Sequence, residues 1–306
     1  MGPGAGSVAA RRSRLVRLGE GARRPRDRAR LVARPRRRGP GPPVSIHYGS
    51  PRAWATSADP VYEALSGAIV AASPVSLLGR SVLDLGAGTG ATSRALEAAC
   101  SRAVALDVSA AMLAHRHATR PPAVVGDMAT IPLATGSIGG VIAAFSLSHV
   151  EDPGAVLAEA RRVTVPGGPV IVGVFAATGT RHPAKEVVER EAAGRGWKAP
   201  AWYLHLKDDL EPRVTDRRAL ARLARDAGLA VVDLRDEDVD TGVDTAEGLV
   251  GWRLSGPALA PFVASLPARE RDDLAGAAAA ALGSDVERLR LGVRILASVV
   301  PVGPGA

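Results

Sequence analysis

The sequence predicts an α/β fold, a mostly parallel sheet with helices on both faces, and three observations predict it. Val82, Leu83 and Leu85 are the residues of a buried strand. Gly86, Gly88 and Gly90 follow at once and lead into a helical stretch from about Ala91 to Ala99, so a strand passes through a sharp turn into a helix. Strand and helix patterns then alternate as far as Phe175, the rhythm of parallel βαβ units.

In chain order, residues 1–43 form an Arg/Gly/Pro-rich tail without apolar periodicity, expected to be disordered. Residues 1–38 hold thirteen Arg against Glu20 and Asp27, a balance of +11. The formal charge of +8 on 306 residues therefore leaves −3 on the other 268. The basicity belongs to the tail, and a body of that charge makes nucleic acid an unlikely partner. The tail itself reads as a transit peptide, a nucleic-acid arm or an extension under low constraint. The Ala, Gly, Arg and Pro richness of the whole chain favours the last.

Residues 44–306 are expected to form one domain, long enough to bury a substantial core. Val44 to Leu78 is a lead-in with a helix near Val61 to Ala72, and the alternating core runs from Ser81 to Phe175. A polar, aromatic-bearing stretch covers 178–213. An amphipathic helix, TDRRALARLARDAG, follows, with Thr215 as its expected cap and Gly228 as its stop. Leu229 to Leu234 and Val293 to Val300 have strand patterns, and 244–291 between them is helical by composition, including the Ala-rich run Ala275 to Leu282.

Glycines at the turn remove Cβ where a ligand must approach the backbone, and the helix start after them favours an anionic or polar group. The spacing is G-x-G-x-G with Asp84 two residues ahead, which argues against the dinucleotide fingerprint G-x-G-x-x-G. VLDLGAGTG, Val82 to Gly90, resembles motif I of the class I S-adenosylmethionine-dependent methyltransferases, and four further segments match that family in order. They are AVALDVSAAML (Ala103 to Leu113, a strand ending in Asp107 and a helix capped by Ser109), VVGDMA (Val124 to Ala129), VIAAFSLSHV (Val141 to Val150) and EARRVTVPGGPVIVGVF (Glu159 to Phe175). The resemblance covers roughly 95 residues and is closest to the small-molecule branch, with its quinone and malonyl-carrier-protein methyltransferases. One departure is Ile138-Gly139, where that family usually has an aromatic residue and Asp.

The resemblance implies a Rossmann-like seven-stranded sheet in the order 3-2-1-4-5-7-6, its last strand antiparallel, with a small helical cap. It implies S-adenosylmethionine as cofactor, with Asp84, Gly86, Ala87, Gly88 and Gly90 around the glycine loop. Asp107 would accept from the ribose hydroxyls with Val108 beside it. Gly126, Asp127 and Met128 would meet the adenine, and Ala143 and His149 the methionine end. Tyr48 either closes over the methionine moiety or packs as an ordinary tyrosine.

In-line methyl transfer asks chiefly for alignment, which supplies on the order of 7 to 11 kcal/mol, whereas a positioned base adds roughly 3 to 5 kcal/mol. His149 is the candidate base, and its other reading is a wall of the cofactor site. The acceptor would be a small molecule or a carrier-bound group beyond the strand ends, roofed by 178–213 and 244–291. Five of the ten aromatic residues, Trp197, Trp202, Tyr203, Trp252 and Phe262, fall in those segments and either line that pocket or anchor a cap.

No metal is expected, because the histidines lack metal-ligand spacing and Cys100 is the single cysteine. The apolar run Pro169 to Ala177 falls short of the ~20 residues that span a bilayer. A cytoplasmic protein with no membrane partner is expected. Two other classes stand beside the small-molecule enzyme: a nucleic-acid methyltransferase, and a catalytically inactive cofactor-binding regulatory protein.

Overall fold

A computed structural model describes residues 51–115, 117–176 and 182–303. Tyr48 and the tail of residues 1–43 lie outside the described residues. The strands are β1 (Ser81–Leu85), β2 (Arg102–Asp107), β3 (Ala123–Val125), β4 (Gly140–Ala144), β5 (Pro169–Phe175), β6 (Ala230–Asp240) and β7 (Arg290–Val299). They form one sheet in the order β3-β2-β1-β4-β5-β7-β6. β1 to β5 are parallel, and β7 runs antiparallel to both β5 and β6. The topology is the expected one, with β1 and β4 adjacent at the switch point where ligands bind in open α/β sheets.

The helices are α1 (Pro51–Ser57), α2 (Asp59–Ala71), α3 (Ala91–Ala98), α4 (Ala110–Ala114), α5 (Pro153–Val163), α6 (Pro183–Ala193), α7 (Ala201–His205), α8 (Glu211–Thr215), α9 (Arg217–Asp226), α10 (Ala246–Leu254), α11 (Ala260–Ser265) and α12 (Ala268–Leu282). None among the described residues is long and apolar enough to cross a membrane.

Pleating divides the sheet residues between two layers of core. Leu83, Leu85, Val141 and Ala143 point to the face covered by α5 and α9, through Val156, Leu157, Leu220 and Ala224. Val82, Ile142 and Ile171 point to the other face, against Val61, Leu65 and Ile69 of α2 and Leu96 of α3. α2 sits so close that a Cβ on Gly173 of β5 would lie 2.2 Å from Ile69 Cδ1, so this position admits no side chain. A third, smaller core joins α6, α10 and α12 through Val188, Val250 and Leu274, with Trp197 and Phe262 packed on it.

Three local expectations are corrected. Asp216, not Thr215, caps α9: its carboxylate accepts from the Ala219 amide at 2.7 Å, while Thr215 closes α8. β6 runs six residues beyond Leu234, through the charged stretch Arg235–Asp240. That extension is held by β7, where Arg294 forks onto both oxygens of Asp236 at 2.6 Å and Arg290 reaches Asp238 at 2.7 Å. Residues 182–215, read from sequence only as a polar stretch, are mostly helical.

The departure at Ile138-Gly139 packs well. Ile138 is fully buried, and the Gly139 amide donates to Ser81 O at 2.7 Å. A Cβ on Gly139 would stand 3.1 Å from Arg80 Cβ and Ser81 O. A larger residue would have to push β1 aside.

Candidate functional site

The glycine loop is fixed from three sides. The amides of Gly86 and Ala87 donate to Leu106 O at 2.8 and 3.0 Å, which ties the turn to β2. Gly86 has φ +82°, and a Cβ there would fall 2.3 Å from Ser146 Cβ. The loop after β4 therefore lies directly on it, with Ser146 Oγ donating to Leu85 O at 2.6 Å. From the far side, Arg120 Nη2 donates to Gly88 O at 2.8 Å and to Met112 O at 3.1 Å.

A clamp that sequence reasoning did not find holds the loop to α2. Thr89 Oγ1 donates to the buried Asp59 carboxylate, and Arg94 Nη2 pairs with the same carboxylate at 2.8 Å. Arg94 also donates to Thr89 O at 3.1 Å. Asp59 and Arg94 are 35 residues apart and belong to no recognisable motif; Asp-Pro at a helix start was the only local signal.

The loop, the ends of β2, β3 and β4 and the inner face of α2 enclose a cavity of about 490 Å³. Nine of the predicted cofactor residues line it: Gly86, Ala87, Gly88, Asp107, Val108, Gly126, Asp127, Met128 and His149. Asp107, at the tip of β2, accepts the Gly88 amide on Oδ2 and the Ser109 amide on Oδ1, each at 2.8 Å. Each oxygen keeps a second acceptor site. Asp127 is exposed at the rim, where its Oδ1 accepts from the Ala129 amide at 2.8 Å.

Three predicted residues do not reach the wall. Asp84 is 1% exposed, because the pleat that sends Leu83 and Leu85 toward α5 turns Asp84 under α3. There Ser93 Oγ donates to it at 2.6 Å. Burial pushes its pKa up to about 6, against the Ser93 hydrogen bond, and the Asp107 charge adds to the rise. Gly90 is the left-handed cap of α3 at φ 98°, and its Cβ position faces Arg94 and Arg120 rather than the cavity. Ala143 is buried in the core on the α5 face, and its neighbour Ala144 lines the cavity instead.

His149 ends a short 3₁₀ turn after β4, its amide donating to Ser146 O at 3.1 Å. Burial pushes its imidazole pKa down to about 4, and the Lys207 charge pushes the same way. It stands between the first cavity and a second of about 160 Å³, and lines both together with Trp54 and Tyr62. Those two rings are 5.0 Å apart, and Tyr62 meets Phe145 edge-on at 5.4 Å. Tyr62 and Ser66 lie four residues apart on α2, a spacing that would have put both on one helical face.

Helices that follow β5 and β6 make up a cap over the strand ends, and residues of its α6, α7, α8 and α10 wall the second cavity. Tyr203 and Trp252 line it, while Trp197 and Phe262 pack into the cap's own core and Trp202 meets Tyr203 edge-on at 5.8 Å. The five rings therefore divide between the two readings open to them. Among the described residues no group of three His, Cys, Asp or Glu side chains is placed to hold a metal ion.

A family profile described as "Methyltransferase domain" matches residues 83–172. An uncharacterized 37.1 kDa protein in transposon TN4556 of Streptomyces fradiae is 37% identical over 163 residues, 50% of this chain and 44% of that protein. A demethylmenaquinone methyltransferase of Renibacterium salmoninarum is 33% identical over 167 residues, 52% of this chain and 70% of that enzyme. The chain thus spans under half of the transposon protein it matches and about 70% of that quinone-type relative. Among solved structures, the complex between the Haloferax volcanii Trm112 methyltransferase activator and a methyltransferase aligns with a TM-score of 0.50. Identity there is 21%, over 83% of this chain and 99% of the other, a likeness of fold. With the glycine loop, the strand order and a relative at one-third identity over more than two thirds of its length all in agreement, the chain belongs to the class I S-adenosylmethionine-dependent methyltransferases, in their small-molecule branch.

Proposed function

We propose that this chain methylates a small molecule seated in the 160 Å³ cavity, with S-adenosylmethionine in the 490 Å³ cavity beside it. The observation that carries the reading is the shared wall of Trp54, Tyr62 and His149, since two ligand spaces that meet at one partition suit a transfer between them. The first cavity fits the cofactor: the glycine loop presents Gly86 and Gly88 to it, Asp107 keeps acceptor capacity for hydroxyls, and the volume lies in the usual range for such ligands, roughly 300 to 1,000 Å³.

When bound, S-adenosylmethionine supplies a methyl group already carried on its leaving group. The protein's part is then to hold, align and exclude water. Asp107 and Asp127 would hold the adenosyl end, and Met128 would pack on the base. Trp54, Tyr62 and the cap would keep solvent from the junction. His149 is neutral at pH 7 and stands where an acceptor's hydroxyl or amine proton would leave. With its pKa held at about 4 it is a weak proton acceptor, which ranks its positioning role above its role as a base.

The relatives named demethylmenaquinone methyltransferases support a ring-bearing acceptor. A charge of −3 outside residues 1–38 is against a nucleic-acid substrate, and the lone Cys100 suits a reducing cytoplasm. The test is calorimetry with S-adenosylhomocysteine and NAD, followed by a screen of cell metabolites with methyl-labelled cofactor. Binding of the first ligand alone and label in a low-molecular-weight product are expected. NAD binding without S-adenosylhomocysteine binding would refute the reading.

A further inference from the structure

We propose that the second cavity selects acceptors that carry a single carboxylate on a ring, with Lys185 and Arg253, which line that cavity and not the first, holding the carboxylate. This rests on the methyltransferase reading of the two cavities given above.

Size limits the occupant first. A cavity of about 160 Å³ is close to the roughly 150 Å³ that accommodates one benzene ring. Phe175, Tyr203 and Trp252 supply flat apolar walls for such a body.

Charge limits it next. Lys185, Lys207, Arg253 and Glu211 line the space. Lys207 is matched by Glu211 at 2.5 Å, and Arg253 Nη2 by Glu189 at 2.9 Å. Lys185, half-buried near the start of α6, has no ion pair among the described residues. One positive charge is therefore left over in a largely apolar chamber, where an anion is favoured more strongly than in water.

Arg253 adds direction. Its guanidinium carbon lies 5.2 Å from the Trp252 ring centroid, which holds the planar group in place. Its Nε is buried and, among the described residues, has no acceptor. A buried donor of this kind is normally satisfied, and a carboxylate oxygen is the acceptor that an Arg fork takes best.

The placement of the carboxylate follows from the walls. Lys185 and Arg253 line only the second cavity, whereas His149, Tyr62 and Trp54 line both. The carboxylate is thus a handle on the second cavity's own lining, and the atom that receives the methyl group is the one turned to the shared wall at His149.

The probes are benzoate and its uncharged isostere benzamide, titrated by calorimetry into full-length protein saturated with S-adenosylhomocysteine. Benzoate is expected to bind at least tenfold more tightly than benzamide. In Lys185→Met and in Arg253→Met that preference should fall below threefold while S-adenosylhomocysteine affinity stays within twofold, which also certifies folding. Arg253→Lys should recover part of it. Benzoate binding no tighter than benzamide, or a preference unchanged in both Met variants, overturns the carboxylate site alone. Failure of the wild-type protein to bind S-adenosylhomocysteine overturns the functional reading, and the site with it.

Discussion

The carboxylate of Asp107 accepts the amide of Gly88 at 2.8 Å, so the tip of β2 and the glycine loop after β1 are one rigid unit although 19 residues separate them. Asp107 therefore shapes the loop as well as offering acceptor sites. Asp107→Ala should weaken S-adenosylhomocysteine binding by about 1.5 to 3 kcal/mol, measured by calorimetry. Wild-type affinity in that variant would exclude Asp107 as a cofactor ligand.

Two glycines of the same loop should respond differently to a methyl group. Gly86→Ala places Cβ 2.3 Å from Ser146 Cβ at φ +82°, and Ser146 is pinned by its bond to Leu85 O. At Gly88, with φ +50°, the nearest atom is the flexible Met112 Cε at 3.7 Å. Gly88→Ala should cost about 1 to 2 kcal/mol of stability from backbone strain alone. Gly86→Ala should cost clearly more and abolish cofactor binding. Urea unfolding of both variants decides, and equal losses would contradict the packing described.

His149 should titrate far below an ordinary histidine. Burial and Lys207 hold its pKa at about 4, so NMR of the ring nitrogens should show a neutral imidazole throughout pH 5 to 8. Because the unfolded chain binds this proton near pH 6.5 and the folded one does not, stability from this group is lost as pH falls from there toward 4. A midpoint near 6.5 in the folded protein would refute the buried setting. His149→Ala should slow methylation of a hydroxyl or amine acceptor by about tenfold or more while S-adenosylhomocysteine still binds.

Asp84 has the opposite sign. Its folded pKa of about 6 exceeds the ordinary 3.8, so the folded state holds the proton more tightly. The stability this gives is present below the unfolded pKa and is lost as pH rises through about 6, a loss on the order of 3 kcal/mol. Asp84→Asn keeps a partner for Ser93 and removes that titration. Its Tm relative to wild type should be higher at pH 8 than at pH 4. A difference that does not vary with pH would show that Asp84 is not desolvated.

The parallel core was legible because each of its elements carries a local signal: apolar runs at Val82–Leu85 and Val141–Ala144, glycines at the turn, Ser109 as a cap. The sheet's far edge was legible only to Leu234, since Arg235–Asp240 looks like loop until Arg290 and Arg294 are brought alongside. Asp107 and Asp127, expected near strand tips from the motif, both line the first cavity, because motif and position coincide there. Asp84 and Ala143 were misplaced by strand pleating, which decides between wall and core one residue at a time. Trp54, Tyr62, Lys185 and Arg253 were invisible because α1, α2, α6 and α10 meet only in the folded chain.

Among the described residues, β6 leaves one long flank of the sheet without a neighbouring strand. Open flanks of this kind recruit other chains, ladder to ladder, and are a common route to aggregation. Here acids at 233, 236, 237, 238 and 240 occupy both faces of the strand, with Arg235 bridging Asp233 and Glu237. A second copy docking flank to flank would have to strip water from a row of charged side chains in which every acid is already held by an arginine. The salt-bridged row that lengthens the strand thus also guards its outer side.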